Sequence, residues 1–310
     1  MSAYVEIQVY VNNMIPGSVI TIESAVAFLG NGFIIVVNGH RWLQNRKMAP
    51  CDFLLTSLST SRIMLQLTVM MNNILYNSLP ENYTRTFARE IGAFFWFFLS
   101  NVSLWCATWL DIFYCVKVTN FPHHLFLWLK LRIDVLVSRL LGMAIIALML
   151  FSVPPTILFL KIRSSLCNLS GTLTWNASLS EVCKDPLFAF RILQFCSMCM
   201  SFILSVTASV LFLISLWRHI RNLRKSGSAI KDLSTQVYLN LMKSLLLSLF
   251  FGIMYFAALL IPMADFYMYG TNLQLVSDLV LSALLSAHSV ILILSNAKLK
   301  VILVHILKLR

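Results

Sequence analysis

Seven long apolar segments dominate the sequence and decide what this chain can fold into. Each holds about 20 residues or more with few charges, the length that a helix needs to cross the hydrocarbon core of a bilayer. We therefore predict an all-α fold, a seven-transmembrane helix bundle that forms a single domain over residues 1–310. The predicted spans are roughly 15–38, 51–77, 91–116, 135–160, 187–217, 244–264 and 271–297.

The composition excludes two other classes of protein. Hydrophobic residues make up 59% of the chain and charged residues only 12%, so it lacks the charged surface of a soluble enzyme. With 22 Phe, 9 Tyr and 7 Trp, the chain is also too apolar to remain disordered. The formal net charge of +12 is spread over the connections between spans, which argues against a nucleic-acid-binding face.

The basic residues predict the orientation of the bundle. Seventeen of the 24 Lys and Arg residues fall after spans one, three and five or near the C-terminus. Because such residues are retained on the cytoplasmic side, we predict the N-terminus outside and the C-terminus inside. Three glycosylation sequons agree with this orientation, since they fall in predicted outer connections at Asn82, Asn168 and Asn176.

Two cysteines share the long outer connection between spans four and five. A bridge between Cys167 and Cys183 would close a loop of about 16 residues, worth about 3 kcal/mol in the chain-entropy model. The oxidising side of the membrane permits such a bridge. Two free thiols are the alternative.

No motif in the sequence indicates an enzyme. The chain contains no His-Glu-x-x-His, no Gly-x-Ser-x-Gly and no phosphate-binding loop. Gly30-Asn-Gly32 opens no βαβ unit, and a close approach between two helices explains it better. His123 and His124 have no further ligands beside them, so we expect neither a metal nor a cofactor.

Ionisable residues inside membrane spans are costly and therefore point to function; four stand out here, Glu23, Arg62, Asp111 and Asp278. Arg62 lies near the middle of span two and needs partners inside the bundle, for which Asn31 of span one is a candidate. It either holds helices together or acts as a conformational switch. Asp278, in the outer part of span seven, either serves a pocket open to the outside or pairs with a neighbouring helix.

Span three combines an aromatic ring with hydroxyl groups near its outer end. Trp96, Ser100 and Ser103 follow helical i, i+4, i+7 spacing and share one face. Such a face suits a small-molecule pocket, although packing between helices produces the same pattern. Tyr114 lies 18 residues after Trp96, about 27 Å along the helix and thus at the inner end.

The end of span five is basic. Arg218, Arg221 and Lys225 lie on one face of a helix that continues into the cytoplasm. This face either docks a partner protein or only fixes the orientation of the helix in the membrane and attracts anionic lipids. The attraction to lipids is worth about 1 kcal/mol per basic residue.

Several motifs occur together along the chain, and they are those of one receptor family. They are Gly30-Asn-Gly-Phe-Ile34, Leu58-Ser-Thr-Ser-Arg62, Phe113-Tyr-Cys-Val-Lys-Val-Thr-Asn-Phe121, Phe126-Leu-Trp-Leu-Lys130, Ser215-Leu-Trp-Arg-His219 and His288-Ser-Val-Ile-Leu-Ile-Leu-Ser-Asn-Ala-Lys-Leu-Lys300. With these motifs the chain resembles the type 2 taste receptor (bitter taste receptor) family over nearly its whole length. It departs from the family at Asp111, where a small Ser is usual, and at Asp278, where Glu is frequent.

The resemblance implies a G-protein-coupled receptor of the plasma membrane, not an enzyme, that binds bitter small molecules and activates a gustducin-type heterotrimeric G protein. On this basis we expect three groups of functional residues. They are a ligand-binding group of Trp96, Ser100 and Asp278, a polar switch of Asn31, Arg62 and His288, and a G-protein face of Tyr114, Lys117, Arg218 and His219. A transporter, the main rival, would be expected to carry internal repeats and broken helices, and neither is visible in the sequence.

Overall fold

Eight α-helices account for nearly all of the chain that the computed structural model describes, which is residues 2–78, 83–119, 124–170, 185–225, 230–264 and 272–308. No strand occurs within these ranges. The helices are α1 (Ser2–Asn45), α2 (Pro50–Ser78), α3 (Tyr83–Val118), α4 (His124–Ser170), α5 (Asp185–Lys225), α6 (Ile230–Ala264), α7 (Asn272–Ser295) and α8 (Ala297–Lys308).

The helices α1 to α6 are each long and apolar enough to cross a membrane, and α7 taken with α8 adds a seventh span. A bend of 94° separates these last two helices. Helices satisfy their own backbone hydrogen bonds, which is what a chain immersed in lipid requires. The predicted seven-helix, all-α fold is therefore confirmed.

The other six spans form a closed ring around α3, in which α2 contacts α4 and α4 contacts α5. Helix α1 contacts α2 and α7, while α7 contacts α6, and α6 contacts α5. Helix α3 contacts α2, α4 and α5 and so lies at the centre of the arrangement. We call the end of the bundle at which α7 meets α8 the α8 end; α1, α3 and α5 also finish there, because successive spans run in opposite directions.

Asn296 produces the bend between α7 and α8. Its side-chain Oδ1 accepts hydrogen bonds from the backbone N–H groups of Lys298 (3.1 Å) and Leu299 (3.4 Å). These are two of the donors that a new helix leaves unsatisfied in its first turn, so Asn296 acts as the N-cap of α8. Leu299 is almost fully buried and anchors α8 against the bundle.

Helix α4 begins at His124, well before the predicted start of span four at residue 135. The prediction assigned the charged residues of this segment to a loop, whereas the structure places them on the helix and pairs them there. Asp134 forms an ion pair with Lys117 of α3, in which Lys117 Nζ lies 2.8 Å from Asp134 Oδ2. Lys130 Nζ donates a hydrogen bond to the Thr119 carbonyl at 3.2 Å. Partnered charges at the end of a span are compatible with a helix that emerges from the bilayer.

The two larger of three apolar clusters in the bundle leave a polar layer between them. The cluster toward the α8 end includes Leu58 of α2 and Ile293 of α7. The other cluster includes Leu65 of α2 and Leu285 of α7. Arg62 lies between Leu58 and Leu65 in the sequence, and His288 lies between Leu285 and Ile293. The polar layer is therefore enclosed by packed apolar side chains on both sides.

Candidate functional site

Arg62 is the centre of the polar layer. Only 5% of the residue is exposed, although it carries a guanidinium group in the middle of α2. Its Nη1 lies 3.1 Å from His288 Nδ1 and 3.5 Å from the Ser289 hydroxyl, both on α7. Arginine can only donate hydrogen bonds, so Nδ1 of His288 must be the acceptor. The histidine is thereby held in one tautomer whenever it is neutral.

His288 extends the layer to α6. With Nδ1 accepting from Arg62, the ring proton is on Nε2, which lies 3.0 Å from the Ser248 hydroxyl. Nε2 therefore donates to Ser248 Oγ, and the proton of the serine hydroxyl remains available for another acceptor. One imidazole ring thus connects a charge on α2 to a hydroxyl on α6.

Ser289 extends the layer to α1. Its hydroxyl lies 3.0 Å from Asn31 Oδ1 and 2.9 Å from the Leu285 carbonyl, while Asn31 Nδ2 donates to the Ala27 carbonyl at 2.9 Å. Asn31 therefore reaches Arg62 through Ser289, whereas the sequence suggested a direct contact. A Cβ at Gly30 would lie 3.5 Å from that of Ser289, so the predicted close helix approach occurs at Gly30. At Gly32 the space is open.

Gln66 forms a second polar connection one turn along α2 from Arg62. Its Nε2 donates to the Ser24 hydroxyl on α1 at 2.6 Å, and its Oε1 accepts from the Ser282 hydroxyl on α7 at 2.8 Å. Gln66 is only 1% exposed. Helices α1, α2 and α7 are therefore joined at two successive levels, each of them polar and buried.

A regular polar seam joins α3 to α5. Asn101 bonds Gln194, Trp105 Nε1 donates to the Ser197 hydroxyl at 3.1 Å, Thr108 donates to the Ser201 carbonyl at 2.9 Å, and the Ser205 hydroxyl donates to Asp111. The donors and acceptors advance by three or four residues on both helices, which is one turn at each step. Gln194 also bonds the Ser152 hydroxyl of α4. The carboxylate of Asp111 is consequently held by a neutral hydroxyl group.

A cavity of about 260 Å³ lies between α2, α3, α5, α6 and α7. It extends from the level of Arg62 and His288 to Asn296 at the α8 end. Most of its lining surface is apolar, but thirteen of the lining residues carry polar side chains. These are Arg62, Ser103, Thr108, Asp111, Tyr114, Ser205, Ser209, Ser244, Ser248, Tyr255, His288, Ser295 and Asn296.

Two of the three predicted ligand-binding residues, Trp96 and Ser100, are not among the described residues that line this cavity. Trp96 and Ser100 are buried, with 9% and 0% exposure, in the half of the bundle farther from α8. The Ser100 hydroxyl lies toward Tyr255 and makes no hydrogen bond of normal geometry to any described residue. Asp278 is on α7, and its side chain is not among those described. Ser103, which shares the face of Trp96 and Ser100, does line the cavity.

The predicted G-protein-face residues all lie toward the α8 end. Tyr114 lines the cavity, and its hydroxyl is 3.1 Å from Cys51 Sγ at the beginning of α2. Lys117 is engaged by Asp134 and lies over the Phe113 ring at 5.8 Å from its centroid. Arg218 and His219 are exposed near the end of α5. The structure brings these four residues to one end of the bundle.

The side chains of the predicted modification sites lie outside the part of the chain that the structure describes. Asn82, Asn176 and Cys183 lie outside the described residues, and so do the side chains of Asn168 and Cys167. Asn101, which matches the sequon pattern but lies inside α3, is fully buried. Within the described ranges, no group of three His, Cys, Asp or Glu residues could hold a metal ion.

Sequence reasoning missed the neutral members of these networks. Gln66, Gln194, Ser248 and Ser282 carry no charge and belong to no recognised motif. Amides such as Gln66 and Gln194 in the middle of apolar spans were the available signal, because a buried amide needs partners as a charge does. Serine gave no signal, since its hydroxyl can bond a carbonyl of its own helix.

Comparison with known proteins identifies a single family. The taste receptor protein (TAS2R) family matches the chain over residues 10–310. The "Taste receptor type 2 member 7" proteins of Mus musculus and Rattus norvegicus are each 34% identical over 283 residues, which is 90% of this chain and 89% of theirs. The protein of the same name from Pongo pygmaeus is 33% identical over 285 residues, covering 90% of this chain and 87% of its own.

Proposed function

Because the chain belongs to the taste receptor (TAS2R) family and is a multi-pass membrane receptor, we propose that it detects bitter small molecules and activates a gustducin-type heterotrimeric G protein. The observation that carries this proposal is the buried contact of Arg62 with His288 and Ser289. A charge placed between helices and held by neutral, exchangeable partners can adopt more than one arrangement at modest energetic cost.

The proposed mechanism is a shift between two helix arrangements. A bitter agonist that binds the active arrangement more tightly increases the population of that arrangement. The size of the shift is set by the difference between the affinities of the agonist for the two states. Shifting the ratio from 1:99 to 99:1 requires about 5.5 kcal/mol of such preference. We assign the switch to Asn31, Arg62 and His288, because a change in their pairing would alter how α1, α2 and α7 fit together.

The agonist pocket is assigned to the end of the bundle opposite α8. Trp96 offers a large aromatic surface there, and the buried Ser100 hydroxyl makes no hydrogen bond of normal geometry to a described residue. A ligand with a hydrogen-bonding group next to an apolar body would suit this pair. Asp278 is added to this pocket because of its position on α7. Its carboxyl group would favour ligands that carry a hydrogen-bond donor or a positive charge.

The G protein is assigned to the α8 end, which the basic residues of the sequence place in the cytoplasm. Tyr114, Lys117, Arg218 and His219 lie at this end, and Tyr114 also lines the cavity. A separation of the helices around the cavity would expose Tyr114 to a partner next to the already exposed basic end of α5.

Replacing Asp278 with Asn or Ala is expected to shift agonist responses several-fold while leaving surface expression unchanged. A charge in an apolar pocket acts strongly on a ligand because little solvent screens it. The measurement is calcium release evoked by a panel of bitter compounds in cells that co-express the receptor and a promiscuous G protein. Unchanged dose–response curves for every active compound would remove Asp278 from the pocket, and a parent that no bitter compound activates would contradict the proposed function.

Glycosylation tests the proposed orientation independently of any ligand. We expect a glycosidase to increase the gel mobility of the parent protein, and the Asn168→Gln, Asn176→Gln double mutant to lose most of that shift. The Asn101→Gln variant is the matched control, because Asn101 is buried inside α3 and should carry no sugar. A parent without glycan at Asn82, Asn168 or Asn176 would argue against the assigned orientation.

A further inference from the structure

We propose that Arg62 forms, with the end of the cavity next to it, a binding site for a small monovalent anion such as chloride. The starting observation is that the partners of the buried guanidinium among the described residues are all neutral. His288 and Ser289 receive hydrogen bonds from Nη1. Nε is buried and has no partner among the described residues. No described carboxylate lies within ion-pair distance of Arg62.

An uncompensated charge in this position is costly. Removing one ion from water into a protein interior costs several kcal/mol, and opposite charge is the usual compensation. Neutral hydrogen-bond acceptors compensate only in part. Arg62 is also one of the residues that line the cavity, so an anion bound at that end of the cavity would lie beside its side chain.

Asp111 does not supply the missing negative charge. It lines the same cavity but receives its hydrogen bond from the Ser205 hydroxyl. Cys106 of α3 is close enough to Arg62 to interact with it electrostatically, so it marks the level of Arg62 on that helix. Asp111 is five residues further along α3, which places it about 7.5 Å nearer the α8 end. The guanidinium of Arg62 and the carboxyl group of Asp111 therefore lie at different levels of the cavity.

Further donors lie around the proposed site. Ser248 accepts from His288 Nε2, which leaves its own hydroxyl proton free to point into the cavity that it lines. Tyr255 also lines the cavity and lies within electrostatic range of Arg62. A guanidinium together with two hydroxyl groups provides charge-assisted and neutral donors for a spherical anion that needs no particular orientation.

The test uses the purified full-length protein in lipid nanodiscs. Thermal unfolding is followed by tryptophan fluorescence while chloride replaces gluconate at a constant ionic strength of about 150 mM. We expect the Tm of the parent to rise by about 3 °C with a saturable dependence on chloride. A parallel series with acetate shows which class of anion the site accepts. A rise in Tm equal to that with chloride means that small carboxylates also bind. No rise with acetate means that the site takes halides only.

Three variants assign the effect to the cavity. Arg62→Gln, which keeps a hydrogen-bonding side chain without the charge, should lose the chloride response. Tyr255→Phe removes a single hydroxyl and should raise the chloride concentration at half-effect by roughly fivefold, so it serves as the test if Arg62→Gln does not fold. Lys117→Gln is the matched control, since it removes a cation outside the cavity and should retain the full response.

Two results would overturn the proposal. One is a parent Tm that is independent of chloride; the other is an unchanged chloride response in Tyr255→Phe and in any folded Arg62→Gln protein. Neither result depends on agonists or on a G protein, so the anion site and the proposed receptor function can fail separately.

Discussion

Replacing Arg62 with lysine is expected to produce a receptor that reaches the cell surface but signals abnormally, with raised basal activity or a reduced maximum. Arginine near the bilayer centre costs about 2.5–3.5 kcal/mol on insertion scales, and its partners must offset this cost. Lysine keeps the charge but cannot reproduce the planar set of donors that contacts His288 and Ser289. The altered pairing should therefore change the equilibrium between arrangements more than it changes the insertion of α2.

Arg62→Ala should behave differently, because it leaves His288 Nδ1 without its donor inside the bundle. Losing one partner of a buried pair costs roughly 1–3 kcal/mol, so surface expression should fall as well. The measurement combines surface labelling with basal and agonist-evoked calcium release for both variants. Wild-type behaviour of Arg62→Lys in all three readouts would leave Arg62 as a structural connection between helices and remove it from the switch.

Replacing Gln66 with alanine is expected to destabilise the bundle by about 2–4 kcal/mol and to lower its Tm by about 5–10 °C. The substitution removes the contacts with Ser24 and Ser282 and leaves a void in a fully packed position. Hydrogen bonds between membrane helices contribute only about 0.6 kcal/mol each on average, so most of the loss should come from the void. Thermal unfolding of the purified protein and surface labelling measure the two consequences.

Gln66→Met separates packing from hydrogen bonding, since methionine is similar in size but lacks the amide. It should recover more than half of the stability that Gln66→Ala loses. Thr68→Ala is the matched control, because among the described residues the Thr68 hydroxyl bonds only the Met64 carbonyl of its own helix. If Gln66→Ala unfolds at the temperature of the parent protein, the Ser24–Gln66–Ser282 connection contributes nothing to stability.

Several parts of this site could be predicted from the sequence because they depend on local properties. The burial cost of a guanidinium required polar partners for Arg62 inside the bundle. The helical spacing of Trp96, Ser100 and Ser103 correctly placed them on one helix. The charged start of α4 was misplaced, since a charge count cannot reveal that Asp134 finds Lys117 on another helix.

The sequence by itself determined that this chain is a seven-helix membrane receptor of one family, because span length, apolar composition and motif order are all read along the chain. Only the tertiary structure decided which residues meet. His288 lies 226 residues from Arg62, and the α3–α5 seam joins residues more than 90 positions apart. The physical reason is that lipid and protein interior are both apolar. The lipid-facing and buried sides of a span therefore look alike in sequence, and the rotation of each helix is fixed only when its neighbours pack against it.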